Sequence, residues 1–175
     1  MAGGLLTKGN GAFRQENQKL MSTFFYRTEQ FLPVDIHTAW GFFSSAKNLA
    51  LITPPELDFN ILTTLNDEEI YEGMIINYTV RPLWGIPLRW ETEICRVEKP
   101  NYFTDRQVKG PYRLWEHTHS YTEVNKGILM KDEVKYQLPF GFIGKMAHSV
   151  IVKKKVENIF LYRKQVLETM FPTVT

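Results

Sequence analysis

The sequence predicts an α+β domain: a seven-stranded antiparallel sheet closed by one long C-terminal helix, with two short helices between the first and second strands. Three observations predict it. Alternating segments between Asp58 and Leu138 are joined by links short enough to imply antiparallel neighbours. A run from Ile143 to Phe171 carries apolar residues at helical spacing. Ahead of both, one strand-like run and two brief helical stripes end at Thr53-Pro54-Pro55.

The first 21 residues hold four of the eleven glycines and show no sustained period. They also lack the apolar stretch of a signal peptide, because Thr7 and Lys8 follow Leu5-Leu6 at once. They read as a flexible tail, with Met21 a candidate translation start, and the folded domain is expected over residues 22–172. From Thr23 to Leu32 a β-rich run stops at Pro33. Asp35 then offers an N-cap to a stripe of Ile36, Ala39, Trp40 and Phe43. Ser44 or Ser45 restarts a second short helix through Ala46 and Leu49.

Six strands follow, at Asp58–Leu65, Met74–Arg81, Pro87–Val97, Tyr102–Val108, Arg113–Val124 and Gly127–Leu138. In the last, Met130, Asp132, Val134 and Tyr136 alternate with Lys131, Glu133, Lys135 and Gln137, so the first set faces in and the second faces water. Lys153, Lys154 and Lys155 mark the solvated side of the closing helix, and Pro172 stops it.

A net charge of +2 gives no footing for nucleic acid or an anionic membrane. No apolar run reaches the roughly 20 residues of a membrane span. The single Cys95 excludes an internal disulfide and fits a reducing, cytoplasmic setting.

The stretch GPYRLWEHTHSYTEV at 110–124 carries the chemistry. With a period of two it puts Arg113, Trp115, His117, His119 and Tyr121 on one face. A two-residue turn at Asn125-Lys126 pairs Val124 with Gly127, and so sets His119 opposite Asp132 and Trp115 opposite Tyr136. A turn at Gly110-Pro111-Tyr112 sets Asp105 opposite His117, and pairing Lys99 with Tyr102 sets Arg96 opposite Asp105. The product is an inward row of Arg96, Asp105, His117, His119 and Asp132, surrounded by Trp90, Thr92, Trp115, Tyr121 and Tyr136.

Three readings of that row stay open. It is a satisfied polar network that fixes register, a polar anchor inside an apolar cavity, or a metal site with His117, His119 and Asp105 or Asp132 as ligands. Carboxylates opposite both rings read more readily as orienting partners than as ligands, so no metal and no cofactor is assigned. Catalytic candidates are confined to His117, His119, Asp105 and Asp132, whose pairing suits proton transfer. No serine or cysteine nucleophile with a base appears, no phosphate-binding glycine loop and no zinc-type cysteine cluster.

The order of elements, with the stretches NLALITPPEL at 48–57, IPLRWETEI at 86–94, FTDRQVKGPYRLWEHTHSY at 103–121 and MKDEVKYQLPFGFIG at 130–144, resembles the helix-grip fold of the START-related or SRPBCC superfamily. That superfamily includes the birch-pollen-allergen-like proteins, and these stretches are similar to those of an uncharacterised bacterial branch of ligand-binding members. The resemblance covers about residues 23–171. It implies a curved sheet wrapped around the last helix, a cavity between them, and a small, mainly apolar, flat or aromatic, polyketide- or lipid-like ligand. Trp40, Phe43, Leu51, Tyr78, Trp90, Trp115, His117, His119 and Tyr136 are the expected lining, with the ligand's polar end near His117 and His119. Binding leads over two rivals: an acid–base enzyme of the polyketide cyclase or dehydratase type using a His–Asp pair, and a protein-interaction module with a filled cavity.

Overall fold

The computed structural model describes residues 22–66, 69–81, 85–139 and 151–173. The expected tail over residues 1–21 lies outside them, as does the expected start of the closing helix over 143–150. Chain order is β1 (Thr23–Leu32), α1 (Ile36–Phe43), two 3₁₀ turns (Ala46–Ala50 and Pro55–Leu57), β2 (Asn60–Ile61), β3 (Ile75–Val80), β4 (Leu88–Glu98), β5 (Tyr102–Lys109), β6 (Leu114–Val124), β7 (Gly127–Gln137) and α2 (Lys153–Met170). The strands form one seven-stranded antiparallel sheet in the order β1-β7-β6-β5-β4-β3-β2. This is the helix-grip arrangement, a meander whose first strand returns to flank the last.

Each junction has a local cause. Asp35 caps α1 by accepting from the backbone N–H groups of His37 and Thr38, both at 3.0 Å. Ile36, Ala39 and Trp40 then point into the core. Ser45 precedes the 3₁₀ turn at Ala46–Ala50, the second short helix of the sequence reading. At the β6–β7 turn Lys126 takes a left-handed φ of 66° and Val124 pairs with Gly127. Gly127 is required by close approach: a Cβ there would lie 2.2 Å from the Leu32 carbonyl oxygen at the end of β1.

Two expectations about strands are corrected. The second strand, expected over Asp58–Leu65, is paired only at Asn60 and Ile61. Beyond them the N–H groups of Leu62 and Thr63 both turn to the Asn77 carbonyl, and the Thr63 hydroxyl takes the Asn77 N–H, which ends the regular ladder. In β4 the ladder to β5 slips between Ile94 and Arg96, leaving Cys95 as an extra residue. The β4–β5 turn pairs Glu98, not the expected Lys99, with Tyr102, so Arg96 faces Thr104 instead of Asp105; the bulge beside it leaves Arg96 exposed, while Val97 takes the inward parity. Arg96 is not part of the inward row.

The core has two parts. The larger gathers Leu32, Trp40, Tyr121, Ile128, Met130 and Leu167; the smaller is built on Val134, Tyr136, Val156 and Phe160. Helix α2 buries Val156, Phe160, Arg163 and Leu167 along one stripe, and Gln30 on β1 donates to its Lys164 carbonyl at 3.1 Å. Its other face carries the exposed Lys153, Lys154 and Lys155. Met170, in the last turn of the apolar run read for this helix, is 39% exposed.

Candidate functional site

A cavity of about 440 Å³ lies between the inner face of β3–β6, the 3₁₀ turns after α1, and α2. Its walls are mostly apolar and aromatic. Tyr78 and Trp90 stack with ring centroids 5.9 Å apart, and Trp115 meets Trp90 edge-on at 5.5 Å. Phe43 and Ile52 come from the α1 side, Phe160 from α2. Polar groups gather where β5 and β6 pass under α2: Asp105, His117, His119 and Arg163 all reach the cavity.

The strand register builds this corner. Asp105 is paired with His117 and His119 with Asp132, as the turn lengths imply. Asp132 lies behind the two rings, its side chain only 1% exposed. Its Oδ1 faces His117 Nε2 at 2.8 Å and His119 Nδ1 at 2.9 Å, with Arg163 Nη1 at 3.6 Å. On the cavity side Asp105 Oδ2 is 3.2 Å from His119 Nε2 and 3.8 Å from His117 Nδ1. The two imidazoles lie 3.7 Å apart between centroids, and Phe103 stacks on His119 at 4.3 Å. One ligating atom from each of Asp105, His117 and His119 lies within 4.8 Å of the other two.

Protonation follows from these contacts. Both nitrogens of His119 face carboxylate oxygens, which demands two N–H donors. Burial opposes a charge there, but the hydrogen bonds to Asp105 and Asp132 outweigh it and raise the pKa above its ordinary value. His117 is pulled the other way, to about 4, by burial and by the His119 charge, against the opposing pull of Asp132. Burial works against the Asp132 carboxylate too, but hydrogen bonds from both histidines hold its pKa well below the usual range. Asp132 thus meets Arg163 and both rings, while Asp105 meets the rings from the cavity side. Among the described residues the network is not fully satisfied: buried Asp132 Oδ2 and Arg163 Nε have no hydrogen-bond partner there.

Of the residues expected to line a cavity, the structure brings together Phe43, Tyr78, Trp90, Trp115, His117 and His119. Trp40 is instead core, 1% exposed, edge-on to Phe103 and Tyr121, its indole N–H donated to Glu69 at 3.1 Å. Leu51 points outward at 53% exposure, because the 3₁₀ turn swings Ile52 inward in its place. Tyr136 is buried behind Trp115, in the smaller core cluster. Asp132 is likewise behind the wall rather than in it.

Sequence reasoning missed Arg163, Tyr112 and Phe160 on the wall. Arg163 had a readable signal. The spacing 156, 160, 163, 167 is a continuous seam, and an arginine in such a seam needs a buried partner on the facing strand.

No family model matches this sequence, and no curated protein matches it in sequence. Solved structures do match in fold. One is protein CV1439 from Chromobacterium violaceum, at TM-score 0.63 and 9% identity over 86% of this chain and 98% of that one. Another is ginseng major latex-like protein 151 from Panax ginseng, at TM-score 0.62 and 13% identity over 86% and 99%. A third is protein Ms6760 from Mycobacterium smegmatis, at TM-score 0.59 and 13% identity over 83% and 92%. At these identities the likeness concerns the fold, and it agrees with the sheet order and the closing helix. The chain has the helix-grip fold of these proteins.

Proposed function

We propose that the chain binds a small, mainly apolar molecule in this cavity. The molecule lies flat against the Tyr78–Trp90–Trp115 wall with its polar end at Asp105, His117 and His119. The observation that supports this reading is the one-sidedness of the cavity. About 440 Å³ of space has mainly aromatic and aliphatic walls, and Asp105, His117, His119 and Arg163 converge in one corner, the composition and size typical of small-molecule sites. Phe43 closes the α1 end of the same wall. No helix among the described residues is long and apolar enough to cross a membrane. A reducing, cytoplasmic setting belongs to the same proposal, on the strength of the free Cys95 thiol.

Native mass spectrometry of the purified chain should show a retained small molecule. Thermal unfolding with 1-naphthol, a flat ring system bearing one hydroxyl, gives a second test. At a hundredfold excess over its Kd, a ligand of the native state adds about 2.7 kcal/mol, which raises the Tm by roughly 5–10 °C in a domain of this size. A bare protein mass together with a Tm that 1-naphthol leaves unmoved would sink the reading.

A further inference from the structure

Beside the cavity's apolar walls, the arrangement of the two histidines singles out one more ligand. We infer that Asp105, His117 and His119 form a binding site for a divalent first-row transition ion of the Zn²⁺ type, with an open coordination position toward the cavity. The inference does not depend on the organic ligand, since the ion would bind with the cavity empty.

The sequence reading set metal aside because a carboxylate stood opposite each ring. The structure sorts those carboxylates onto opposite sides. A single oxygen, Asp132 Oδ1, takes the outer nitrogen of both rings, His117 Nε2 at 2.8 Å and His119 Nδ1 at 2.9 Å. With those N–H groups spent on one buried acceptor, the remaining nitrogens, His117 Nδ1 and His119 Nε2, both turn toward Asp105. A ligating imidazole is commonly held in this way, its second N–H fixed by a carboxylate that sets tautomer and ring orientation.

Spacing agrees. Metal–ligand distances of 2.0–2.1 Å in a tetrahedral site imply ligand–ligand edges of about 3.4 Å. The edges from Asp105 Oδ2 are 3.2 Å to His119 Nε2 and 3.8 Å to His117 Nδ1, and the edge between the two imidazoles falls within 4.8 Å, so the rings close in slightly on an ion. The ion would take the place of the hydrogen bond between His119 and Asp105. Two imidazoles and one carboxylate suit Zn²⁺, Co²⁺ or Fe²⁺ and are a poor set for Ca²⁺ or Mg²⁺. All three residues reach the cavity, so the fourth position faces the space where an organic oxygen would arrive. The remaining neighbours support the ligands without adding one: Phe103 stacks on His119, Phe160 meets His117 edge-on at 5.5 Å, and Arg163 holds Asp132 from α2.

The test is titration of the chelator-treated full chain with Co²⁺, followed by visible absorption and by displacement with Zn²⁺. One Co²⁺ per chain with ligand-field bands is expected, and Asp105→Asn should weaken it at least tenfold. Uptake well below one ion per chain overturns the inference, as does an affinity that Asp105→Asn leaves unchanged. A measurement on the unaltered protein guards against a variant that fails to fold. In long-range ¹H–¹⁵N spectra Zn²⁺ should move His117 Nδ1 and His119 Nε2 while the opposite nitrogens keep their protons. Ring nitrogens that do not respond to Zn²⁺ overturn the inference equally.

Discussion

A carboxylate buried as deeply as Asp132 persists only with its charge compensated, and here two imidazoles and Arg163 share that task. Asp132→Asn is therefore expected to cost about 3 kcal/mol in urea unfolding, since it leaves Arg163 and His119 facing a neutral group. Asp105→Asn, on the cavity side and 16% exposed, should cost less than half as much. The pair of histidines also shapes the pH profile of the metal-free protein. His117 titrates at about 4 in the fold against an ordinary 6.5, so between those values the unfolded chain takes up a proton that the folded chain refuses, and stability falls with acid. His119 is raised, so its contribution is full below pH 6.5 and is lost as pH rises through its folded value. With Asp105, Asp132 and Arg163 as the charged neighbours, unfolding free energies should peak near pH 6.5. His117→Gln should flatten the acid side, and a curve that keeps its acid slope in that variant would contradict the assignment. At this scale the sequence was legible for pairs one strand apart, because turn length and period two decide which residues meet. The burial of Arg163 was readable from its seam but its partner was not, since nothing on one helix announces which strand it will face.

Among the elements, β6 and β7 carried their register openly: eleven residues each, a two-residue turn, and in β7 a run of Lys131, Glu133, Lys135 and Gln137 on one face. β4 did not. Its extra Cys95 reverses parity, and a bulge leaves no mark on the hydrophobic period until the partner strand is known. β2 was overcalled for a related reason: apolar residues at its edge, such as Leu62 at 54% exposure, are surface and not core. The β6–β7 turn offers a clean test of packing between elements. Gly127→Ala drives a methyl to 2.2 Å from the Leu32 carbonyl and 2.9 Å from the Phe31 ring, and both belong to the end of β1. A loss of about 2 kcal/mol is expected, read as a Tm lower by roughly 4–8 °C. An unchanged Tm would show that β1 gives way freely there.

For the whole molecule, the sheet and α2 act as two jaws whose contact is complete at Leu167 and opens toward Trp90 and Trp115. The order of elements made that architecture legible from the sequence. The lining was legible only in part, because a buried aromatic such as Trp40 or Tyr136 obeys the same period whether it packs against another ring or borders empty space. The β4 bulge has a consequence at this scale as well. It leaves the chain's single thiol half-buried at the back of the sheet, its S–H turned to the Thr104 carbonyl at 3.3 Å, and burial foremost raises its pKa. Its modification by a disulfide reagent should therefore speed up whenever β4 and β5 part, which makes Cys95 a built-in clock for breathing of the sheet directly behind Asp105. Occupancy of the cavity, by 1-naphthol or by Zn²⁺, should slow that clock. A labelling rate indifferent to both would mean that the sheet opens there without consulting what it holds.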